Sequence, residues 1–271
     1  MIEIFDLSNK VAVIIGGSGI LGSSIASGLG RAGSSIAICD INNTDIVVEK
    51  LKNEHINAKG YYIDVMDKNK IEQCKNRVLN DFGRIDILVN AAGGNLKEAT
   101  TSKGLSFFDL KLSALEKVIG PNLFGGAILP AQVFGKVMAG SKGGGSIINI
   151  SSMNAIRPLT RIPGYSAAKA AVSNFTQWLA VHFAQEYNRK LRVNAIAPGF
   201  FLTAQNHYLL FDENEVLTER GKSIIAHTPM GEFGKPEDLI GVYMWLASEA
   251  SRFVTGTVIP IDGGFNAYSG A

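Results

Sequence analysis

The chain has 271 residues, 46% hydrophobic and 18% charged, a balance that supports a full core and lies outside the range of disordered chains. Its 26 Lys and Arg are scattered among 24 Asp and Glu, leaving a net charge of +2 and no basic block, so nucleic acid and anionic membranes are excluded as expected partners. The opening Met1-Ile2-Glu3-Ile4-Phe5-Asp6 lacks a basic stretch followed by an apolar one, no run approaches ~18 uninterrupted apolar residues, and Cys39 and Cys74 are too few for a disulfide framework or a metal cluster. A cytoplasmic protein with reduced thiols and no metal site is expected, built as one domain over residues 1–271.

Lys10 to Ile15 is a short apolar run, followed by Gly16-Gly17-Ser18-Gly19-Ile20-Leu21-Gly22 and a helical pattern through Ala32. Gly17-x-Gly19-x-x-Gly22 has the spacing of a dinucleotide fingerprint, in which absent side chains admit a pyrophosphate to a helix N-terminus. Ser35 to Cys39 is a second strand ending at Asp40, 18 residues past Gly22, near where an acidic residue would hold the adenine ribose. A loop cap is the alternative role for Asp40.

Strands and helices then alternate. Ala58–Ile63 is a strand leading to Asp64-Val65, Lys68–Phe82 a helix, and Ile85–Asn90 a buried strand leading to Ala91-Ala92-Gly93-Gly94. Residues 94–112 form a polar loop with Phe107 and Phe108, and a helix carrying Asn122 runs toward Met138 with a kink expected from Pro121 and Pro130. Gly143-Gly144-Gly145 reads as a turn and Ser146–Ser151 as a strand with Ser152 at its carboxyl end. A long apolar-periodic helix runs from Tyr165 to Glu186, and Leu191–Ala197 is a strand ending at Pro198-Gly199. Residues 200–230 are irregular and fit a substrate lid; Lys235–Ser248 is helical, and Val258–Ile261 is the last strand. The rhythm predicts an α/β fold: a single Rossmann-type, doubly wound parallel sheet with helices on both faces and ligands at the carboxyl ends of the strands.

Tyr165 and Lys169 are one helical turn apart and share a face. A phenol of pKa about 10 is a poor base at neutral pH, and a neighbouring ammonium favours the phenolate, so the pair suits acid/base work. A solvated Lys on an amphipathic helix is the plainer reading of the pair alone. His55, His182, His207 and His227 have no shared spacing, so neither a metal site nor a His-based triad is expected. Trp178 and Phe183 sit at packing spacing, suited to burial against a helix or subunit.

Together the glycine turn, Asn90-Ala91-Ala92-Gly93, Ser152, Tyr165-x-x-x-Lys169 and Pro198-Gly199 resemble the short-chain dehydrogenase/reductase family, from Val11 to Gly264. The resemblance implies that Tyr165 is the catalytic acid/base, Ser152 bonds the reacting oxygen, and Lys169 binds the nicotinamide ribose and lowers the Tyr165 pKa. Asn122 would hold a relay water, Asp64 and Val65 would flank adenine, and Thr203 would meet the carboxamide. Three positions depart from the family pattern: Ile15 for Thr, Ile20 for the middle Gly, and Ala91 for Asn. A closer similarity, in Ser152–Tyr165, Asn174–Phe183, Ala197–Thr203 and Phe265–Gly270, is to the D-mannonate oxidoreductases of this family, also called fructuronate reductases. It implies a sugar-acid substrate; helix-paired homotetramers follow from the family.

Asp40, with no Arg in Ile41-Asn42-Asn43, favours NAD over NADP, because a 2′-phosphate would meet a like charge. Arg157 or Arg161, with Asn154, is a candidate for the substrate carboxylate, because the connection between Ser152 and Tyr165 borders the pocket. Support of a lid or subunit contact is the other role open to the arginines. A reductase of another sugar, an acyl-thioester or a polycyclic alcohol, and a dinucleotide sensor without chemistry, are the rival functions; a sensor has no need of Asn122, Ser152, Tyr165 and Lys169 together.

Overall fold

The computed structural model describes residues 3–203 and 206–270. Seven strands, β1 (Val11–Ile15), β2 (Ser35–Asp40), β3 (Ala58–Tyr62), β4 (Ile87–Asn90), β5 (Gly145–Ile150), β6 (Leu191–Pro198) and β7 (Val258–Ile261), form one sheet in the order β3-β2-β1-β4-β5-β6-β7. Every pairing is parallel. Because helices cover both faces, the inner strands β1, β4 and β6 are buried at every position, whereas the edge strands β3 and β7 are partly exposed.

Two cores follow from that layering. Helices α1 (Ile20–Arg31), α2 (Asp45–Asn53) and α9 (Ile240–Ala247) pack Ile25, Leu29, Leu51, Tyr243 and Leu246 against one face. Helices α3 (Lys68–Phe82), α5 (Leu129–Ala139) and α6 (Pro163–Glu186) pack Ile71, Val78, Phe134, Leu179 and Phe183 against the other. Cys39 on β2 and Cys74 on α3 meet in the second core, both buried, with their sulfurs 3.5 Å apart.

The structure differs from the sequence reading at three elements. Helix α2 is an addition: Asp45-Ile46-Val47-Val48-Glu49-Lys50-Leu51 buries only Val48 and Leu51, too thin a stripe to stand out as periodic. The helix expected to kink at Pro121 and Pro130 instead runs through α4 (Leu112–Ile119), a π-helical stretch Gly120–Ile128, and α5. Widening the turn accommodates the missing proline N–H groups without breaking the helix. Leu112–Ala139 reaches a mean hydropathy of 1.2, enough by length and composition for a membrane span, but 61% of that window is buried inside this molecule. Finally, the 200–230 segment is not irregular throughout: it contains α7 (His207–Leu210) and α8 (Glu219–Ala226), and Phe201 bridges to Gly234. Ala204 and Gln205, within that segment, lie outside the described residues.

Candidate active site

The carboxyl ends of the central strands open onto a groove with two lobes. Asp40, Asp64, Val65, Ser18 and Asn42 line one lobe of about 660 Å³. Ser152, Tyr165, Lys169, Pro198, Gly199 and Thr203 line the other, of about 320 Å³. Gly16, Gly19, Ala91, Ala92 and Gly93 border both, so the lobes are continuous.

The glycine turn joins β1 to α1 with almost no steric room. Gly16 has φ 77°, and a Cβ there would lie 2.8 Å from the backbone of Ala91 and Ala92. One on Gly17 would lie 2.9 Å from the Ile14 carbonyl oxygen, and one on Gly22 would overlap the Gly16 carbonyl. Gly19, at φ −70°, has no such constraint from the fold, so the steric demand falls on Gly16, Gly17 and Gly22 and not on the Gly17, Gly19, Gly22 set that the spacing suggests. Ile20, where the family pattern has glycine, opens α1 and lines the catalytic lobe. No side chain caps α1, which leaves its N-terminal dipole facing the groove.

Asp40 is buried, and its Oδ2 accepts from the Ser18 N–H at 3.0 Å. Its Oδ1 accepts from the Asn42 backbone and side-chain nitrogens at 2.9 and 3.0 Å, so Asp40 takes the loop-cap role. A carboxylate offers about four acceptor sites, and the group keeps capacity toward the groove that it lines. Asp64 Oδ1 accepts from the Met66 N–H at 2.9 Å and fixes the turn that places Val65. The glycine cradle, the uncapped helix and the acidic residue at the end of β2 together fit a dinucleotide.

In the second lobe α6 presents Tyr165 and Lys169 one turn apart, with Lys169 Nζ 5.6 Å from the Tyr165 ring centre. Burial pulls the Lys169 pKa down to about 8, and its ammonium donates to the Ile150 carbonyl at 2.7 Å. Burial pushes the Tyr165 phenol above its ordinary value, and hydrogen bonding with Ser152 draws it partly back. The expectation that Lys169 lowers the Tyr165 pKa is thus corrected for the protein alone: burial dominates, and the ammonium is engaged with β5. Ser152, buried at the end of β5, accepts from the Asn154 N–H at 3.2 Å and caps the 3₁₀ turn Met153–Ala155.

Other candidates fall elsewhere. Asn90 is buried between strands and donates to Asn149 Oδ1 at 2.8 Å, so β4 and β5 have a side-chain tie despite Ala91. Asn122 sits in the π-helical stretch behind Gly93; its Nδ2 donates to the Gly94 and Val118 carbonyls at 2.6 and 2.7 Å. Its Oδ1 is buried and unpartnered among the described residues.

None of the three substrate candidates lines the catalytic lobe. Asn154 Oδ1 accepts from the Leu159 N–H at 3.1 Å and closes the turn after Ser152. Arg157 is turned toward the C-terminal tail, donating to the Tyr268 carbonyl at 2.6 Å. Arg161 is exposed at φ 78°, and its carbonyl accepts from the Thr101 N–H. Phe200, Phe201 and Asn206, which the sequence reading placed in the substrate lid without singling them out as site residues, do line the lobe. Asn206 Oδ1 accepts from the Thr203 N–H at 2.8 Å, a local tie that spacing alone does not reveal. Among the described residues no group of three or more His, Cys, Asp or Glu could hold a metal ion.

A parallel sheet with a dinucleotide-shaped groove and a Ser-Tyr-Lys set at its carboxyl edge defines a nicotinamide-dependent oxidoreductase. The chain belongs to the short-chain dehydrogenase/reductase family, and a family model described as enoyl-(acyl carrier protein) reductase matches residues 17–266. It is 48% identical over 278 residues to an uncharacterized oxidoreductase, UxuB, of Bacillus subtilis (strain 168), covering 98% of each chain. It is 34% identical over 270 residues to the 2-dehydro-3-deoxy-D-gluconate 5-dehydrogenase of Escherichia coli (strain K12), again over 98% of each. Among solved structures it resembles one from Haemophilus influenza, provisionally described as a D-mannonate oxidoreductase with bound NAD, at TM-score 0.92 and 45% identity over 98% of both chains.

Proposed function

We propose that this oxidoreductase interconverts D-mannonate and D-fructuronate with NAD(H). The observation that carries the reading is the continuity of the two lobes, which puts Ser152, Tyr165 and Lys169 beside the glycine cradle. The sugar-acid assignment is supported by the relatives, whose descriptions include a D-mannonate oxidoreductase and a gluconate-type dehydrogenase.

NAD supplies the hydride chemistry when bound. Asp40 would hold the adenine ribose, Asp64 and Val65 would flank the adenine, Gly16 to Gly22 would hold the pyrophosphate, and Ala91 to Gly93, Pro198, Gly199 and Thr203 would hold the nicotinamide side, with Asn90 tying β4 to β5 behind them. Ser152 donates to the substrate oxygen and orients it. Tyr165 gives that oxygen a proton in reduction and takes it back in oxidation. Lys169, largely protonated below about pH 8, would hold the nicotinamide ribose and favour the phenolate of Tyr165 by its charge. Asn122 contributes through its unpartnered Oδ1, which accepts from a relay water. Asp40 repels a 2′-phosphate and selects NAD over NADP. The enzyme works in the cytoplasm as a homotetramer, paired through the α5–α6 face.

The test is a panel of hexuronates and aldonates assayed with NAD(H) and NADP(H). The highest kcat/KM is expected for the D-mannonate and D-fructuronate pair with NAD(H). Equal or higher efficiency with a gluconate-type acid would reassign the substrate, and equal efficiency with NADP(H) would remove the role given to Asp40.

A further inference from the structure

We infer that Arg157 is a positioning residue that fastens the C-terminal tail, Phe265–Tyr268, behind Phe200, which lines the substrate lobe, and thereby sets which sugar acids are accepted. The inference rests on the sugar-acid oxidoreductase reading but not on the identity of the acid. Contacts from three separate parts of the chain converge on this short tail. Phe200, which lines the catalytic lobe, meets Phe265 edge-on with ring centres 5.2 Å apart. His227, at the end of α8, stands 6.3 Å from the Phe265 ring and 6.2 Å from that of Tyr268. Arg157 Nη1 donates to the Tyr268 carbonyl at 2.6 Å and reaches the Phe265 carbonyl at 3.5 Å.

Phe265 is buried by these neighbours although it lies only six residues from the end of the chain. The tail enters this position directly from the site: Gly199 donates to the Ile261 carbonyl, and Met230 donates to that of Gly263. At its other end the Arg157 N–H donates to the Met153 carbonyl, so the guanidinium is carried by the turn that Ser152 caps. Arg157 therefore joins the tail to the Ser152 turn through charge-assisted bonds to neutral carbonyls, while the 200–230 segment meets the same tail through Phe200, His227 and the Met230 backbone. Loss of the link leaves the tail held only by its Asp262 and Met230 bonds and by ring packing, which loosens Phe265 as the backing of Phe200, while the cofactor lobe on the far side of Gly16 keeps all its contacts. The effect belongs in substrate binding and not in hydride transfer or cofactor affinity.

The experiment compares Arg157→Ala, Arg157→Lys, deletion of residues 267–271, and Arg157→Ala combined with the deletion. For each, kcat and KM are measured on the sugar acid that the wild type turns over best, with the NAD dissociation constant and Tm alongside. Arg157→Ala and the deletion are each expected to raise KM by roughly tenfold or more with kcat held within about threefold and NAD affinity unchanged. Arg157→Lys, which keeps one charged donor, should recover part of the loss. The combined variant should be no worse than the worse single one, because both cut the same link. An unchanged KM in Arg157→Ala, or losses that multiply in the combined variant, overturns the inference. So does a loss in Arg157→Ala confined to the acid and absent for a neutral keto-sugar, which would make Arg157 a direct carboxylate contact. Failure of the wild type to act on D-mannonate would sink only the substrate assignment, since the comparison runs on whichever acid is preferred.

Discussion

Lys169 shows most directly how a single residue here trades stability for chemistry. Its pKa is held at about 8 against 10.5 for the free side chain, and at about 1.36 kcal/mol per unit the buried charge costs the fold up to about 3 kcal/mol. Below pH 8 folded and unfolded chains both hold the proton and the full cost applies. Between pH 8 and 10.5 the folded chain releases it first, so the unfolded state binds more protons and stability rises with pH. Lys169→Met should therefore be inactive yet more stable than wild type at pH 7, by up to about 3 kcal/mol less the bond to Ile150, with the difference fading toward pH 10. Denaturant titrations at pH 7 and 10 check it; a variant less stable at both would contradict the account. Tyr165→Phe should abolish turnover while calorimetry finds NAD binding nearly intact. These side chains were legible because one helical turn fixes their relation. The direction taken by Arg157 was not, since its partner Tyr268 lies 111 residues away and no local rule connects them.

Among the elements, the turn between β1 and α1 separates two kinds of glycine. Gly16→Ala meets both a left-handed φ and the backbone of Ala91, so it should lower stability by about 1–3 kcal/mol and weaken NAD together. Gly19→Ala meets only the Gly16 carbonyl at 3.3 Å and keeps an ordinary φ, so stability should hold within about 0.5 kcal/mol while NAD affinity falls, because the added methyl occupies the groove. Thermal melts with and without NAD distinguish the two, and matching losses of stability would remove the distinction. Sequence spacing found this turn but did not say which of its glycines the fold itself demands, because spacing records where glycine occurs and not which backbone approach requires it. The π-helical stretch was invisible for a related reason: prolines announce a lost hydrogen bond, but the packing of Gly125 and Gly126 against Val65 and Ala92 decides whether the helix breaks or widens.

For the whole molecule, the alternation of strands and helices was enough to give a single doubly wound sheet, since apolar strands of four to eight residues can be satisfied only when both faces are covered. The outer surface was less legible, and the proposed assembly depends on it. Between α5 and α6 lies an apolar groove of about 850 Å³ lined by Phe175, Trp178, Leu179 and Tyr187. Trp178 is 55% exposed and stacks on His182 with ring centres 4.7 Å apart. An indole left in water on a face this apolar suits a symmetric partner helix. Trp178→Glu should lower the mass seen by light scattering and leave the circular dichroism of the subunit unchanged. A mass equal to that of wild type would place the contact on another face.

The meeting of Cys39 and Cys74 gives the protein a built-in reporter of its own opening. Both thiols are buried, and burial also raises the Cys39 pKa, so a reagent in solvent reaches neither until β2 and α3 separate. Labelling by an aromatic disulfide reagent then counts opening events and not surface chemistry, and its rate yields a local opening free energy. Cys39 precedes Asp40, and its carbonyl accepts from the Gly16 and Gly17 N–H groups of the glycine turn. NAD should therefore slow labelling by a factor of one plus the ratio of NAD concentration to Kd where the opened form does not bind it, so two native thiols measure cofactor affinity without turnover or an added probe.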